Sequence, residues 1–166
     1  MPVLVSDTSV LIDLERGRLL KELFLLPFEF AVPDLLYARE LTGPLGELLL
    51  ALGLRVEELT PVELGRATTI RRQHANLSTP DTFAFAIAES RRWTLLTGDG
   101  GLRELALAER IEMHGVLWLF DQLADGNHVE LEKLHASLSA ISAHPRCRLP
   151  AHEVSQRLTR FNAKTG

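Results

Sequence analysis

Hydrophobic positions along this chain switch between two spacings. Val3-Leu4-Val5 is a short apolar run ending at polar Ser6-Asp7-Thr8-Ser9, after which Val10, Leu11 and Leu14 recur at helical spacing. This predicts a buried strand, a tight turn and a helix. Leu19 to Leu26 reads as a helix stopped by Pro27, and Phe28 to Val32 as a second strand. Pro33 is expected in the first turn of the next helix, which Leu35, Leu36, Ala38 and Leu41 carry to Gly43-Pro44; Leu45 to Leu52 adds a turn or two. Leu54 to Leu59 reads as a third strand. Thr60-Pro61-Val62-Glu63 combines a cap residue, a first-turn proline and a reciprocal glutamate, so a helix is expected from there to about His74. Asn76-Leu77-Ser78 reads as a turn between helices.

Ser78-Thr79-Pro80-Asp81 is a second capped start, and Phe83-Ala84-Phe85-Ala86-Ile87-Ala88 is apolar on every face. Such a helix must be buried all round. Trp93 to Thr97 reads as a fourth strand, Gly98 to Gly101 as a turn, Leu102 to Ala108 as a helix and Ile111 to His114 as a fifth strand. Val116 to Leu123 is expected to be helical, Leu131, Leu134, Leu138 and Ile141 form an amphipathic stripe, and Val154, Leu158 and Phe161 mark a last basic helix after the Pro145–Pro150 loop. Strands alternating with helices predict an α/β fold: a mainly parallel sheet of about five strands with helices on both faces.

Composition narrows the class without changing this picture. At 166 residues, 46% hydrophobic and 24% charged, the chain suits a single soluble domain, and one cysteine, Cys147, excludes a disulfide scaffold. With neither a signal-peptide pattern nor a membrane-length apolar run, a cytoplasmic location is expected. The net charge of −4 is the wrong sign for a protein that coats nucleic acid non-specifically. It is unevenly spread: residues 141–166 hold Arg146, Arg148, Arg157, Arg160 and Lys164 against Glu153 alone. That basic segment, Arg157 and Arg160 in particular, is a candidate RNA or protein contact.

In a parallel sheet the ligand site lies beyond the carboxyl ends of the strands, where helix N-termini also point. Asp7 follows the first strand, Asp99 follows the fourth, and Asp81 heads the all-apolar helix. Glu40 lies six residues after Asp34, so one of those two is expected to face inward. Each acid also has a plain structural use, as an N-cap, a turn residue, a dipole partner or a solvated helix face. Asp13 and Glu15 read as surface charges. Gathered carboxylates repel unless a cation joins them, and oxygen-only ligands favour Mg²⁺ or Mn²⁺ over Zn²⁺. Ions so held activate water against a phosphodiester. With those four acids assigned to a metal site, the remaining acids and bases balance, and the objection to a nucleic-acid substrate falls away.

Asp7-Thr8-Ser9, Glu40 within Tyr37-Ala38-Arg39-Glu40-Leu41, Asp81 ahead of Ala84 and Ala88, and Leu95-Leu96-Thr97-Gly98-Asp99 together resemble the PIN-domain nucleases, in order and spacing over residues 1–120. The resemblance implies a PIN-like three-layer α/β/α core over 1–120, with 121–166 a helical extension packed on the same domain. It implies a Mg²⁺- or Mn²⁺-dependent ribonuclease for single-stranded RNA, such as the toxin of a type II toxin–antitoxin pair. Asp7, Glu40, Asp81 and Asp99 would be its catalytic, metal-holding quartet, Ser9 and Thr97 its supporting hydroxyls, and a cognate antitoxin and a homodimer its partners. The chain departs from many members at Gly101, where they carry another acid, which bears on a second metal. Two other readings remain: a catalytically inactive PIN-like module that binds protein or RNA, and a phosphotransferase with Asp7 as nucleophile. The second lacks the aspartate expected where Ser9 stands.

Overall fold

Among residues 1–162, which the computed structural model describes, five parallel strands form one sheet: β1 (Val3–Ser6), β2 (Glu29–Pro33), β3 (Arg55–Glu57), β4 (Thr94–Leu96) and β5 (Met113–His114). Their spatial order is β3-β2-β1-β4-β5, with Val5 beside Ala31 on one side and Leu95 on the other. Lys164 lies outside the described residues. Successive side chains on a strand point to opposite faces, and the core divides accordingly. Leu4, Phe30, Val32 and Leu96 pack beneath α1 (Thr8–Arg16), α2 (Leu20–Leu23), α8 (Val116–Asp125) and α9 (Leu131–Ala143). Val5 and Leu95 pack beneath α5 (Pro61–Gln73), α6 (Thr79–Arg91) and α7 (Gly100–Ala108). The result is a three-layer α/β/α architecture.

The all-apolar stretch behaves as its composition requires. Ala84 to Ala88 are all buried, Phe83 is half-buried, and α6 touches β1, β2 and β4 as well as α5 and α7. Alanines at 84, 86 and 88 keep the helix slim enough to lie in the middle of its layer.

Three local expectations are corrected. Pro33 ends β2 rather than sitting inside the next helix; it is extended (φ −63°, ψ 146°) and flanks α3 (Asp34–Leu36). The helix expected over Leu19–Leu26 shrinks to α2, and Phe24, the residue that ends it, packs edge-on against Phe30 at 5.3 Å. And α7 begins at Gly100, two residues early, since the Asp99 carboxylate accepts the Leu102 N–H at 2.9 Å and caps it.

On the α5–α6 side, Glu63 is 1% exposed and completes a capping box with Thr60. Its carboxylate accepts from Arg91 Nε at 3.0 Å and Nη2 at 3.1 Å, and Arg91 and Arg55 lie over Trp93 at 5.0 and 5.1 Å from the ring centroid. Burial alone would raise the Glu63 carboxyl, but the bonds from Arg91 and Thr60 outweigh it and hold it at about 2. Its folded value is thus below its ordinary 4.5, so its stabilisation is complete above that pH and lost as pH falls towards 2. Arg91→Ala strands the Glu63 charge and is expected to cost about 3 kcal/mol in urea unfolding at pH 7, with the loss shrinking below pH 4.

The C-terminal helices are anchored to the same layer as α1. Gly17 caps α1 where a Cβ would come 2.8 Å from Ile141 Cδ1, so α9 lies close against it. After α9, Cys147 and Leu149 pack on the core, and α10 (Ala151–Asn162) returns along α9. Arg157 makes a forked contact with Asp121 at 3.2 and 2.8 Å, and Arg160 reaches Asp125 at 2.5 Å. These two guanidiniums tie α10 to α8. Among the described residues no helix is long and apolar enough to cross a membrane.

Candidate active site

The chain leaves β1 for β2 on one side, while β4 pairs with β1 on the other, so the loops after β1 and β4 part above the sheet and open a crevice. Asp7 stands at the first of those loops and Asp99 at the second. Asp7 is 3% exposed and fully engaged: it accepts from the Val10 N–H at 3.0 Å, Ser9 Oγ at 2.9 Å and Thr97 Oγ1 at 2.6 Å. Thr97 Oγ1 in turn accepts the Asp99 N–H at 3.0 Å, so one buried hydroxyl links the two aspartates.

Asp81 projects from the first turn of α6, where Ser78 Oγ accepts its backbone N–H at 3.2 Å. Glu40 arrives from the opposite side on a π-helical turn, Tyr37–Leu41, where a continuous α-helix was expected. Leu36 and Leu41, five residues apart, are both buried, a spacing that the wider turn satisfies. Glu40 remains exposed and accepts from Thr8 Oγ1, whereas Asp34 caps its own neighbour, the Leu35 N–H, at 2.7 Å. The turn is braced by α4 (Pro44–Leu52): a Cβ on Gly46 would lie 2.1 Å from the Leu41 carbonyl oxygen, so only glycine fits there without displacing the backbone that carries Glu40.

Asp7, Glu40, Asp81, Asp99 and Ser9 all line one cleft of about 390 Å³, with Thr97 buried beneath it. Burial pushes the Asp7 carboxyl above its ordinary value, against the hydrogen bonds from Thr97, Val10 and Ser9. Asp81 is pushed up to about 6, first by burial and then by the negative charges of Asp7, Asp99 and Glu40, with the Ser78 hydroxyl opposing. Asp13, read from sequence as a surface charge, also lines the cleft; burial raises it, Arg16 opposes at 3.6 Å, and Asp7 adds to the rise. Among the described residues no histidine or cysteine lines the cleft. Its donors are carboxylate and hydroxyl oxygens, and the mutual repulsion felt at Asp81 is the kind that a hard cation relieves. Among the described residues no three His, Cys, Asp or Glu side chains stand close enough to cage an ion by themselves.

A family model described as a PIN domain matches residues 3–163. The chain belongs to the PIN-domain family. PIN domains are typically nucleases, so the fold points to hydrolysis of nucleic acid in general. No curated protein matches the chain in a direct search.

In this PIN domain the position of the extra acid found in many members is filled by Gly101. A Cβ there would come 2.8 Å from Asn76 Nδ2 and 2.9 Å from Leu77 Cδ2, so the tips of the α5–α6 turn occupy the space. Sequence reasoning assigned no site role to Thr8, which holds Glu40, to Ser78, which holds Asp81, or to Arg16, which lines the rim; Arg146 and Arg148, also at the rim, stood only within the basic segment offered as an RNA or protein contact. Thr8 lies inside the Asp7-Thr8-Ser9 motif and Ser78 at a cap, so both carried a local signal; Arg146 and Arg148 carried none beyond their charge.

Proposed function

We propose that this PIN domain is a metal-dependent endoribonuclease for single-stranded RNA, with Asp7, Glu40, Asp81 and Asp99 holding Mg²⁺ or Mn²⁺. The observation that carries the reading is a set of four carboxylates from separate elements facing one open cleft, where burial, with the charges of the other three acids adding to it, lifts Asp81 to about 6. When bound, the metal supplies an acidified water and offsets charge developing on the phosphate. Asp7 and Asp99 are held by N-cap bonds and by Thr97, which fixes donor oxygens before substrate arrives. Glu40 is exposed and tethered through Thr8, a placement suited to orienting a water as well as to ligation. An open arrangement leaves coordination positions for water and phosphate, as Mg²⁺ prefers.

The same reading extends to a cytoplasmic toxin of a type II pair, restrained by a cognate antitoxin and working as a homodimer. Exposed Val62 and Leu64 on α5 offer apolar surface for such contacts. The direct test is to incubate the protein with labelled single-stranded RNA in Mn²⁺, with and without chelator, and to examine the product ends. Water attack predicts cleavage only with metal and no 2′,3′-cyclic phosphate. Cleavage in chelator, or cyclic-phosphate products, would refute a metal-activated water. No cleavage under any condition would support the inactive interaction module instead.

A further inference from the structure

Two of the arginines at the cleft come from the far end of the chain. Residues 144–150 leave α9 at His144, pass between Pro145 and Pro150, and cross the rim of the cleft that Asp7 and Asp81 line. The Cys147 side chain packs on the core, and its neighbours Arg146 and Arg148 both line the cleft. The segment is tethered: the Cys147 N–H donates to the His144 carbonyl at 3.0 Å, the Arg146 N–H to His144 Nδ1 at 3.1 Å, and Leu149 packs on the same core. Its position is also coupled to the acids, because α9 rests against the Gly17 end of α1, and Asp7 caps the other end of that helix.

Arg16 pairs with Asp13 at 3.6 Å, but the other charges around the cleft are not resolved into pairs. Arg55, Arg66, Arg91, Arg157 and Arg160 each have a carboxylate partner, whereas Arg146 and Arg148 are exposed and make no ion pair among the described residues. A loop that served to block the acids would spend its guanidiniums on them. Here they stand beside the acids and leave them unneutralised. The ligand that needs both is a phosphodiester chain, with one phosphate at a carboxylate-held cation and the next ones facing guanidinium forks.

Resting on the nuclease reading above, we propose that Arg146 and Arg148 of the C-terminal extension form a phosphate clamp that binds the backbone of single-stranded RNA next to the scissile bond. The two prolines and the packed Cys147 and Leu149 hold the clamp in place before substrate arrives, which reduces the ordering cost of binding.

The test compares wild type, Arg146→Ala, Arg148→Ala, the double variant, the two Lys variants and Arg72→Ala, an exposed arginine that does not line the cleft. Cleavage of labelled single-stranded RNA in Mn²⁺ gives KM and kcat. Anisotropy of the same RNA on an Asp99→Asn background gives affinity against salt, and circular dichroism checks folding. The double variant is expected to raise KM by about 10-fold or more with kcat changed far less, each charged contact being worth roughly a factor of ten. Its log-affinity against log-salt slope should fall by about 1.4, at roughly 0.7 per contact on a single strand. The Lys variants should restore the slope but only part of the affinity, and Arg72→Ala should match wild type. Unchanged KM and slope in a wild type that cleaves would overturn the clamp and leave the nuclease reading standing. Faster cleavage by the alanine variants would overturn it in favour of a blocking loop. A folded wild type that neither binds nor cleaves RNA would overturn both.

Discussion

Without divalent metal, the protein is expected to lose stability as pH rises from about 4 to about 6, and Asp81→Asn to reduce that loss. The sign follows from Asp81, whose carboxyl is raised from 3.8 to about 6 in the folded state. The folded protein then holds a proton over that interval which the unfolded chain has released, so unfolding becomes easier as pH increases. The full shift corresponds to about 3 kcal/mol, and partial exposure of Asp81 reduces the expected effect to about 1–2 kcal/mol. A cation in the cleft reverses the balance by favouring the ionised carboxylates, and its binding near pH 6 should release a proton. Urea unfolding across pH 4–7.5, with chelator and with Mn²⁺, checks each part. Wild type should regain stability in Mn²⁺, whereas Asp81→Asn should start higher in chelator and gain little. If Asp81→Asn follows the wild-type pH profile, the Asp81 carboxyl is not its source.

Asp7→Asn is expected to lower metal-dependent cleavage of single-stranded RNA by at least about 10²-fold without unfolding the protein. The asparagine carbonyl can still accept from the Val10 N–H and Ser9, so the start of α1 is preserved. Its amide cannot accept the Thr97 hydroxyl proton, and the hydroxyl must turn away while still receiving the Asp99 N–H. The change thus removes a formal charge at the centre of the quartet and disturbs the link to Asp99, with helix capping retained. A circular dichroism spectrum like that of wild type, alongside the lost rate, would separate chemistry from folding.

Much of the architecture is legible in sequence because burial dictates it. A helix apolar on every face has nowhere to lie but inside a layer, and α6 lies there; Asp7 and Asp99 follow strands, and parallel topology carries both to one crevice. Glu40 was harder to place, because hydrophobic spacing does not announce a π turn. The five-residue step from Leu36 to Leu41 becomes meaningful only once both are seen to be buried. Asp13 reads as a surface charge because its burial is assembled only by packing at the cleft. Arg146 and Arg148 reach the acids only because α9 folds back on α1 more than a hundred residues away in sequence. Arg157 and Arg160 had the same composition signal but are absorbed by Asp121 and Asp125, since charge alone does not say which cations will find partners.

The central claim is that these carboxylates form one metal-dependent hydrolytic site. Its most direct test is the cleavage rate of a labelled single-stranded RNA as a function of Mn²⁺ concentration, for wild type and Asp7→Asn side by side. The expected result is a wild-type rate that rises with Mn²⁺ to saturation and vanishes in chelator, with Asp7→Asn lower by at least about 10²-fold throughout. A rate indifferent to metal, or an Asp7→Asn protein that cleaves as fast as wild type, would contradict it.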